Sequence, residues 1–325
     1  MSNYTLSDAF TIFYNAKKSE GVRTRTAQVY IINWGYFTDW LAEDCLINTI
    51  TAAKIREYVN FMFDKTKFSN ATDGRKSSDT LAAQTIITRL MTIRTIFNFL
   101  AGENYIVTNP VAKIKLPRYD RKEKITFIDD DVRKLLGAPD TDTPTGLRDR
   151  TLMILLADGG FRIQEALKLT TELLDIKARC IHLPGSMNKN RKPRVVPLSQ
   201  GTVRELLALI KRNKTYFETE YIFLSKKGDP LKADRFRKSL NEYAIKVGVD
   251  PKLAYPHQFR SYFCTAYLLN GGDLFTLQRI VSHADIETTR SYVRVNDEHV
   301  RDQHTQFSPL VRLVHCLHPQ KKCDQ

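Results

Sequence analysis

Residues 282–292 read Ser282-His283-Ala284-Asp285-Ile286-Glu287-Thr288-Thr289-Arg290-Ser291-Tyr292, and this stretch is the most informative part of the sequence. It places a histidine and, nine residues later, a tyrosine around a short helical segment. Upstream stand His257-Gln258-Phe259-Arg260 and the segment Gly160-Phe161-Arg162-Ile163-Gln164-Glu165. Two arginines, two histidines and a tyrosine can together bind one phosphodiester and attack it with a phenolic oxygen.

The charge balance favours a polyanionic partner. The chain has 325 residues, and its 50 Lys and Arg against 36 Asp and Glu give a formal net charge of +14. A basic excess of this size is typical of proteins that bind nucleic acid, although a basic surface without a partner is the alternative. Charge alone therefore supports a nucleic-acid partner without establishing it.

Features of secreted or membrane proteins are missing from the sequence. The first residues, Met1–Thr5, lack a basic and then apolar signal pattern, and the apolar run Leu152–Ala157 is too short to span a bilayer. The five cysteines are scattered and odd in number, which suits free thiols in a reducing compartment. We expect a soluble cytoplasmic protein without membrane contact.

The first segment, residues 1–116, is predicted to be a helical bundle. Apolar residues recur at helical spacing in Thr24–Leu41, in Thr51–Phe63 and in a later helix that begins near Ile86. In that last helix Arg89 and Arg94 fall opposite the apolar stripe, where they are free to meet phosphates or water.

Residues 117–124 are predicted to be a basic linker. Pro117 discourages a continuous helix, and the segment carries Arg118, Arg121 and Lys122. Such a linker would lie well along a DNA backbone, although many linkers are charged simply to remain solvated. Residues 125–325 then form the second domain, which ends in a C-terminal tail.

The second domain is predicted to be mostly helical with a small antiparallel sheet. Cys180–Leu183 and Arg194–Leu198 have the composition of short strands, and the polar turn Gly185–Pro193 joins them. Helices are expected on both sides, and the last one is expected over Ile286–Val295. The fold class is therefore mainly α.

Two pairs of residues have the spacing that phosphate binding requires. His257 and Arg260 lie three apart in the first turn of a predicted helix, where free N–H groups also favour an anion. Arg162 and Glu165 have the same spacing, so that the carboxylate could orient the guanidinium. Arginine suits this role because its planar fork binds two phosphate oxygens and remains charged.

In order and spacing these residues resemble the tyrosine recombinases, or phage-type integrases, and their two-domain Xer-like and Cre-like members above all. The resemblance covers Asp129 to about Leu313, and it is weaker over the helical first third, which is similar to the family's SAM-like core-binding domain. It implies that Arg162 and Arg260 clamp the scissile phosphate and that His257 assists proton transfer. It also implies that His283 hydrogen-bonds a non-bridging oxygen and that Tyr292 is the nucleophile.

The resemblance also implies a catalytic lysine in the turn before the second strand. In the family this lysine precedes an Arg-Val-Val-Pro-Leu-like strand, here Arg194–Leu198, and counting back five residues from Arg194 gives Lys189. Lys192 is the alternative. The other basic residues of this turn, together with Lys192, are expected to contact DNA: Arg191, Lys192 and Arg194.

Two departures from the family pattern concern the site. Phe161 stands where the family has leucine, which is an exchange of one apolar residue for another. Ser282 stands where the family has glycine before the histidine. A serine would strain this turn if the backbone requires a positive φ, and the placement of His283 would then be affected.

The function implied by the resemblance is site-specific DNA recombination or integration through a 3′-phosphotyrosyl intermediate, as used by mobile elements. It implies no metal or cofactor, and it implies a tetramer on two DNA sites in which the C-terminal tail reaches a neighbouring subunit. Accessory proteins are unknown. A type IB topoisomerase-like enzyme and a non-catalytic DNA-binding protein remain as alternatives.

Overall fold

A computed structural model describes residues 4–67, 78–117, 125–188, 192–283, 285–290, 292 and 297–310, and for residues 297–300 and 302 it describes the backbone alone. The chain divides into two compact units, Met1–Lys122 and Glu123–Gln325. This division falls inside the predicted linker, residues 117–124. None of the described helices combines the length and apolar character that a bilayer crossing needs.

The described residues of the first unit form four α-helices around one apolar core. They are α1 (Leu6–Ser19), α2 (Thr24–Leu41), α3 (Ala52–Asp64) and α4 (Ala83–Gly102). Thr5 and Thr51 cap α1 and α3 by accepting from backbone N–H groups of the first turn. Aromatic rings fill much of the core, and Trp34, Phe37 and Phe97 are buried there. The predicted bounds of α2 are confirmed, and those of α3 differ by one residue at each end.

The exposure predicted for Arg89 is wrong. Its side chain is buried, and its guanidinium carbon lies 3.8 Å from the centroid of the Tyr36 ring. Arg94 is half-buried and donates to the Ile114 carbonyl. Helical periodicity placed both arginines opposite the apolar stripe, but aromatic and main-chain partners from other segments cover that face.

The second unit combines nine described helices with one small sheet. The helices are α5 (Asp129–Gly137), α6 (Pro144–Gly159), α7 (Ile163–Ala166), α8 (Gln200–Lys214), α9 (Ala233–Val247), α10 (Pro256–Leu269), α11 (Leu274–Val281), α12 (Ile286–Arg290) and α13 (Asp297–Phe307). The core contains α6, which packs against α8 and α10. The predicted mainly α fold with a small antiparallel sheet is confirmed.

The sheet has three antiparallel strands in the order β1 (Leu174–Asp175), β2 (Cys180–Leu183) and β3 (Arg194–Pro197). In the register, Leu183 pairs with Arg194 and Cys180 pairs with Pro197. The predicted strands are confirmed apart from Leu198, which follows β3, while β1 was not predicted because two residues carry no alternation signal. The last predicted helix is confirmed over α12, Ile286–Arg290, and Tyr292 lies in a turn. The end of that prediction, residues 293–295, lies outside the described residues.

Candidate active site

The end of α6 sets the position of Arg162. The helix ends at Gly159, and Gly160 caps it in the left-handed region at φ 60°. A Cβ at Gly160 would lie 2.4 Å from Cδ1 of Phe263, so both the φ and the space require glycine here. The chain then turns into α7, with Arg162 immediately before the first helical residue.

Glu165 holds two arginines with one buried carboxylate. Its Oε1 accepts from Nη1 of Arg162 at 2.8 Å, and its Oε2 accepts from Nη2 of Arg194, also at 2.8 Å. The side chain of Glu165 is 2% exposed, whereas that of Arg162 is 26% exposed. The carboxylate therefore fixes the guanidinium of Arg162 while leaving part of it open to solvent, which is the geometry expected for an orienting residue.

Arg260 is held by carbonyl groups. Its side chain is 1% exposed, and its Nη1 and Nη2 donate to the carbonyls of Gly160 at 2.5 Å and Val281 at 2.7 Å. Burial, followed by the nearby charge of Arg162, lowers the pKa of Arg260 to about 10. The guanidinium is therefore charged at neutral pH but poorly neutralised, so a bound anion would stabilise it.

His283 follows a strained turn. Ser282 caps α11 in the left-handed region at φ 50°, which confirms that this position requires a positive φ. Nδ1 of His283 and Oγ1 of Thr289 are hydrogen-bonded at 2.9 Å. Burial, with added repulsion from Arg260 and Arg162, lowers the pKa of His283 to about 3. The imidazole is therefore neutral at physiological pH.

Tyr292 is buried against His283. Their ring centroids lie 6.0 Å apart, and the ring planes are inclined by 13°. Burial raises the pKa of Tyr292, while a hydrogen bond with Ser261 and the charges of Arg260 and Arg162 oppose that rise. The phenol is therefore protonated at neutral pH, and it can act as a nucleophile only if another group accepts its proton.

His257 begins the same helix that carries Arg260. Pro256 occupies the first position of α10, and the side chain of His257 is exposed. Its charge is among those that lower the pKa of His283, which places the two histidines in the same electrostatic environment. The structure thus brings together Arg162, Glu165, His257, Arg260, His283 and Tyr292.

Other predicted site residues are placed differently or lie outside the description. Lys192 is exposed. The side chain of Arg194 is only 4% exposed and pairs with Glu165, and its contact with DNA stays a prediction. The remaining candidates lie outside the described residues, among them the catalytic lysine candidate: Lys189, Arg191, Arg118, Arg121 and Lys122.

Several contacts of the site were missed from sequence. Asn188 is a buried amide that bonds with Arg162 and Ser282, and Thr289 is the partner of His283. Asn188 had no sequence signal, because an asparagine in a polar turn is ordinary. Thr289 was visible only as part of the quoted stretch, without a role.

A cavity of about 760 Å³ lies beside the site. Its lining includes Lys192 and Val195 from the β2–β3 side, Phe275 from α11, and His283 itself. The cavity joins exposed Lys192 to the half-buried imidazole of His283 within the second unit. An extended ligand could therefore reach His283 through it.

One group of potential metal ligands occurs among the described residues. Asp175, Cys180 and His182 offer ligand atoms within 4.8 Å of one another on the outer face of the sheet. Burial, followed by the charge of Asp175, raises the pKa of Cys180. This disfavours the thiolate that zinc requires, so the group does not argue for a metal centre.

Comparison with known proteins gives the class of this chain. The model of the phage integrase family matches residues 126–299. The tyrosine recombinase XerD of Staphylococcus aureus is 27% identical over 311 residues, which cover 94% of this chain and 99% of XerD. XerD of Staphylococcus epidermidis is 31% identical over 224 residues, covering 68% of this chain and 75% of XerD.

Solved structures share the fold. The Tn1549 transposon integrase in complex with transposon right end DNA has a TM-score of 0.73 at 18% identity, covering 94% of this chain and 100% of that one. A lambda integrase dimer bound to a COC′ core site has a TM-score of 0.66 at 16% identity, covering 90% of this chain and 98% of that one.

The chain belongs to the phage integrase family, since the family model matches more than half of it. It is a tyrosine site-specific recombinase, as its curated relatives are.

Proposed function

We propose that the protein cuts and rejoins double-stranded DNA through a covalent bond between Tyr292 and a 3′ phosphate. The observation that supports this best is the charge balance around Tyr292 and His283. Arg162, Arg194 and Arg260 bring three positive charges to the site, while Glu165 is the carboxylate that pairs with two of them. Among the described residues the arrangement is short of negative charge, and a phosphodiester would supply it.

In the proposed reaction, Oη of Tyr292 forms a bond to phosphorus as the bond from phosphorus to the 5′ oxygen breaks. The phenol gives up its proton to His257, and the catalytic lysine protonates the departing 5′ oxygen. Arg162 and Arg260 stabilise the charge on the non-bridging oxygens. With Thr289 donating to Nδ1, the neutral His283 would carry its proton on Nε2 and donate it to one of those oxygens.

The attack of a 5′ hydroxyl on the phosphotyrosine reverses the step. The energy of the broken bond is kept in the phosphotyrosyl ester, so that this scheme involves no metal, nucleotide or other cofactor. A substrate whose nick lets the released strand diffuse away should trap the wild-type protein as an adduct that resists denaturation. If the protein binds such a substrate but forms no adduct with it, the proposal is contradicted.

The lysine assignment has its own test. Lys189→Ala should slow cleavage by leaving the 5′ oxygen without a proton. A substrate with a bridging sulfur in place of that oxygen should restore the rate, because a thiolate leaves without an acid. If the sulfur substrate restores cleavage by Lys192→Ala but not by Lys189→Ala, Lys192 is the catalytic lysine.

We also propose that residues 1–116 are a DNA-binding domain and that the linker 117–124, with Arg118, Arg121 and Lys122, follows the DNA backbone towards the catalytic domain, residues 125–325. The net charge of +14 supports this, and so does the resemblance to structures that contain DNA. Binding should weaken steeply with salt, because phosphate contacts release counterions. An affinity that stays constant between low and high salt would contradict this mode of binding.

The finer proposal is a tetramer that acts on two DNA sites and serves a mobile element. In it, the C-terminal tail after Tyr292 reaches into the neighbouring subunit. A ring of head-to-tail contacts would close such an assembly. Exchange of strands between two sites, measured with linear substrates, supports recombination. Relaxation of supercoiled DNA by a monomer would favour the topoisomerase-like alternative, and binding without any adduct would favour a non-catalytic protein.

A further inference from the structure

Asn188 is a buried amide within the polar turn between β2 and β3. It closes a 3₁₀ turn over Gly185–Met187, and its backbone N–H donates to the carbonyl of Gly185 at 3.1 Å. In the chain it directly precedes Lys189. Burial of an amide costs free energy unless the group is hydrogen-bonded, so its contacts indicate what it stabilises.

The amide bonds to three separate segments. Nδ2 donates to the carbonyl of Lys192 at 2.8 Å and lies 3.0 Å from Oγ of Ser282. Oδ1 accepts from Nη1 of Arg162 at 3.4 Å. One side chain therefore links the far end of the turn, the residue before His283 and one of the two arginines proposed to clamp the phosphate.

These contacts have two consequences. First, the bond to the Lys192 carbonyl joins Asn188 and Lys192, which stand on either side of Lys189 in the chain. Second, Ser282 stands where the family pattern has glycine, and its hydroxyl is the group that the amide reaches. A left-handed serine costs free energy relative to glycine, and a hydrogen bond that only the serine can make offsets part of that cost.

We propose that Asn188 is a positioning residue, which holds the lysine turn and the His283 cap in register with Arg162, and that Ser282 is its partner in this role. The proposal rests on the proposed function, because Asn188 acts through its neighbours and does no chemistry of its own.

Asn188→Ala should slow single-turnover cleavage about 10- to 100-fold at saturating protein, since small displacements of catalytic groups have effects of this order. Affinity for DNA should change less than about twofold, because the buried amide adds little to the DNA contact. The matched control is Asn213→Ala, which removes another asparagine Nδ2 bond to a carbonyl, that of Ile222 at 2.8 Å. Asn213→Ala should cleave at the wild-type rate. An equal loss in both variants would contradict a positioning role.

The sulfur-bridged substrate separates positioning from a general structural role. If Asn188 places the lysine, Asn188→Ala should recover most of its lost rate on the sulfur substrate, since the leaving group no longer needs a proton. An equal defect on oxygen and sulfur substrates would overturn the link to the lysine turn.

A double-mutant cycle tests the pairing with Ser282. In a Ser282→Gly background Asn188→Ala should cost less than in the wild type, because the shared bond is already absent. Strictly additive losses would overturn the pairing.

Hydrogen exchange provides a readout that does not depend on cleavage. Amides over 189–193 should exchange faster in Asn188→Ala and at the wild-type rate in Asn213→Ala. Unchanged exchange in Asn188→Ala would overturn the proposal even in a fully active enzyme. A wild type that forms no adduct would instead overturn the proposed function.

Discussion

Both units of this protein contain buried arginines, and the surroundings of Arg89 in the first unit differ from those of Arg260 in the second. In the first unit Arg89 lies against the face of Tyr36 and interacts with Tyr58, so aromatic groups surround its charge. In the second unit Arg260 lies among other cations, including Arg162, and donates to main-chain carbonyls. The aromatic partners of Arg89 complete its packing, whereas the described residues around Arg260 supply fewer negative than positive charges. A buried arginine alone therefore does not indicate function, but a surplus of positive charge beside a phenol and an imidazole does.

The largest effect should come from the second unit. Tyr292→Phe removes the proposed nucleophile and should abolish the covalent adduct, while DNA binding stays nearly intact because the hydroxyl adds little contact. Mass spectrometry of the wild-type adduct should place the nucleotide on Tyr292. An adduct that persists in Tyr292→Phe, or that maps to Tyr262 or Tyr267, would refute the assignment.

Glu165→Gln should have the next largest effect, because it removes the carboxylate shared by Arg162 and Arg194. We expect a loss of about 3 kcal/mol in the free energy of unfolding of the second unit, since breaking a buried pair strands its charge. Cleavage should fall about 100-fold as Arg162 loses its orientation. Denaturation followed by circular dichroism measures the first change, and single-turnover kinetics measures the second.

Glu205→Gln is the matched control for Glu165→Gln. Glu205 pairs with Arg150 at the same 2.8 Å distance, but both side chains are partly exposed. Its loss should cost less than about 1 kcal/mol and leave cleavage unchanged. Similar losses of stability and cleavage in Glu165→Gln and Glu205→Gln would contradict the prediction that the shared buried carboxylate matters more than a partly exposed ion pair.

Arg89→Ala should lower the free energy of unfolding of the first unit by about 1–2 kcal/mol, through lost packing and cation–π contact. Both tryptophans, Trp34 and Trp40, belong to this unit, so tryptophan fluorescence during denaturation reports on it alone. The exposed Arg56→Ala is the control and should change little. A cleavage defect in Arg89→Ala at saturating protein, without loss of stability, would contradict the packing role.

The smallest effect should be a change in pH dependence. In the folded chain the pKa of His283 is about 3, below its ordinary value of 6.5. Between these two pH values His283 therefore binds a proton in the unfolded chain but not in the folded chain. Stability should therefore fall as the pH drops from 6.5 towards 3. His283→Gln should reduce that fall, and His182→Gln, at an exposed position, should not. The free energy of unfolding of each protein can be measured by denaturation at pH 7 and pH 5. An equal decrease in wild type and His283→Gln would contradict this prediction.

The fold was largely predictable where local periodicity decides it. The bounds of α2 and α11 and the strand β2 follow from apolar spacing. Comparison with the glycine pattern raised a positive φ at Ser282 only as a condition, and the structure meets it. Arg89, Arg194 and Asn188 could not be placed from local spacing. Each has partners far away in the sequence, such as Tyr36, Glu165 and Arg162, and a basic or polar residue looks the same in sequence whether solvent or a distant group covers it.

The carbonyl of Val281 has a consequence for how this site tolerates change over evolution. It accepts from Arg260 at 2.7 Å and from Arg194 at 3.1 Å, and it lies at the C-terminal end of α11, where the helix dipole adds negative charge. This acceptor belongs to the main chain, so no exchange of the Val281 side chain removes it. Residue 281 can therefore change among apolar residues while Arg194 and Arg260 keep their hydrogen bonds to its carbonyl. Alanine substitution at this position would not reveal the contribution of that carbonyl. Replacing the amide bond between residues 281 and 282 by an ester, which weakens that carbonyl as an acceptor, would reveal its contribution.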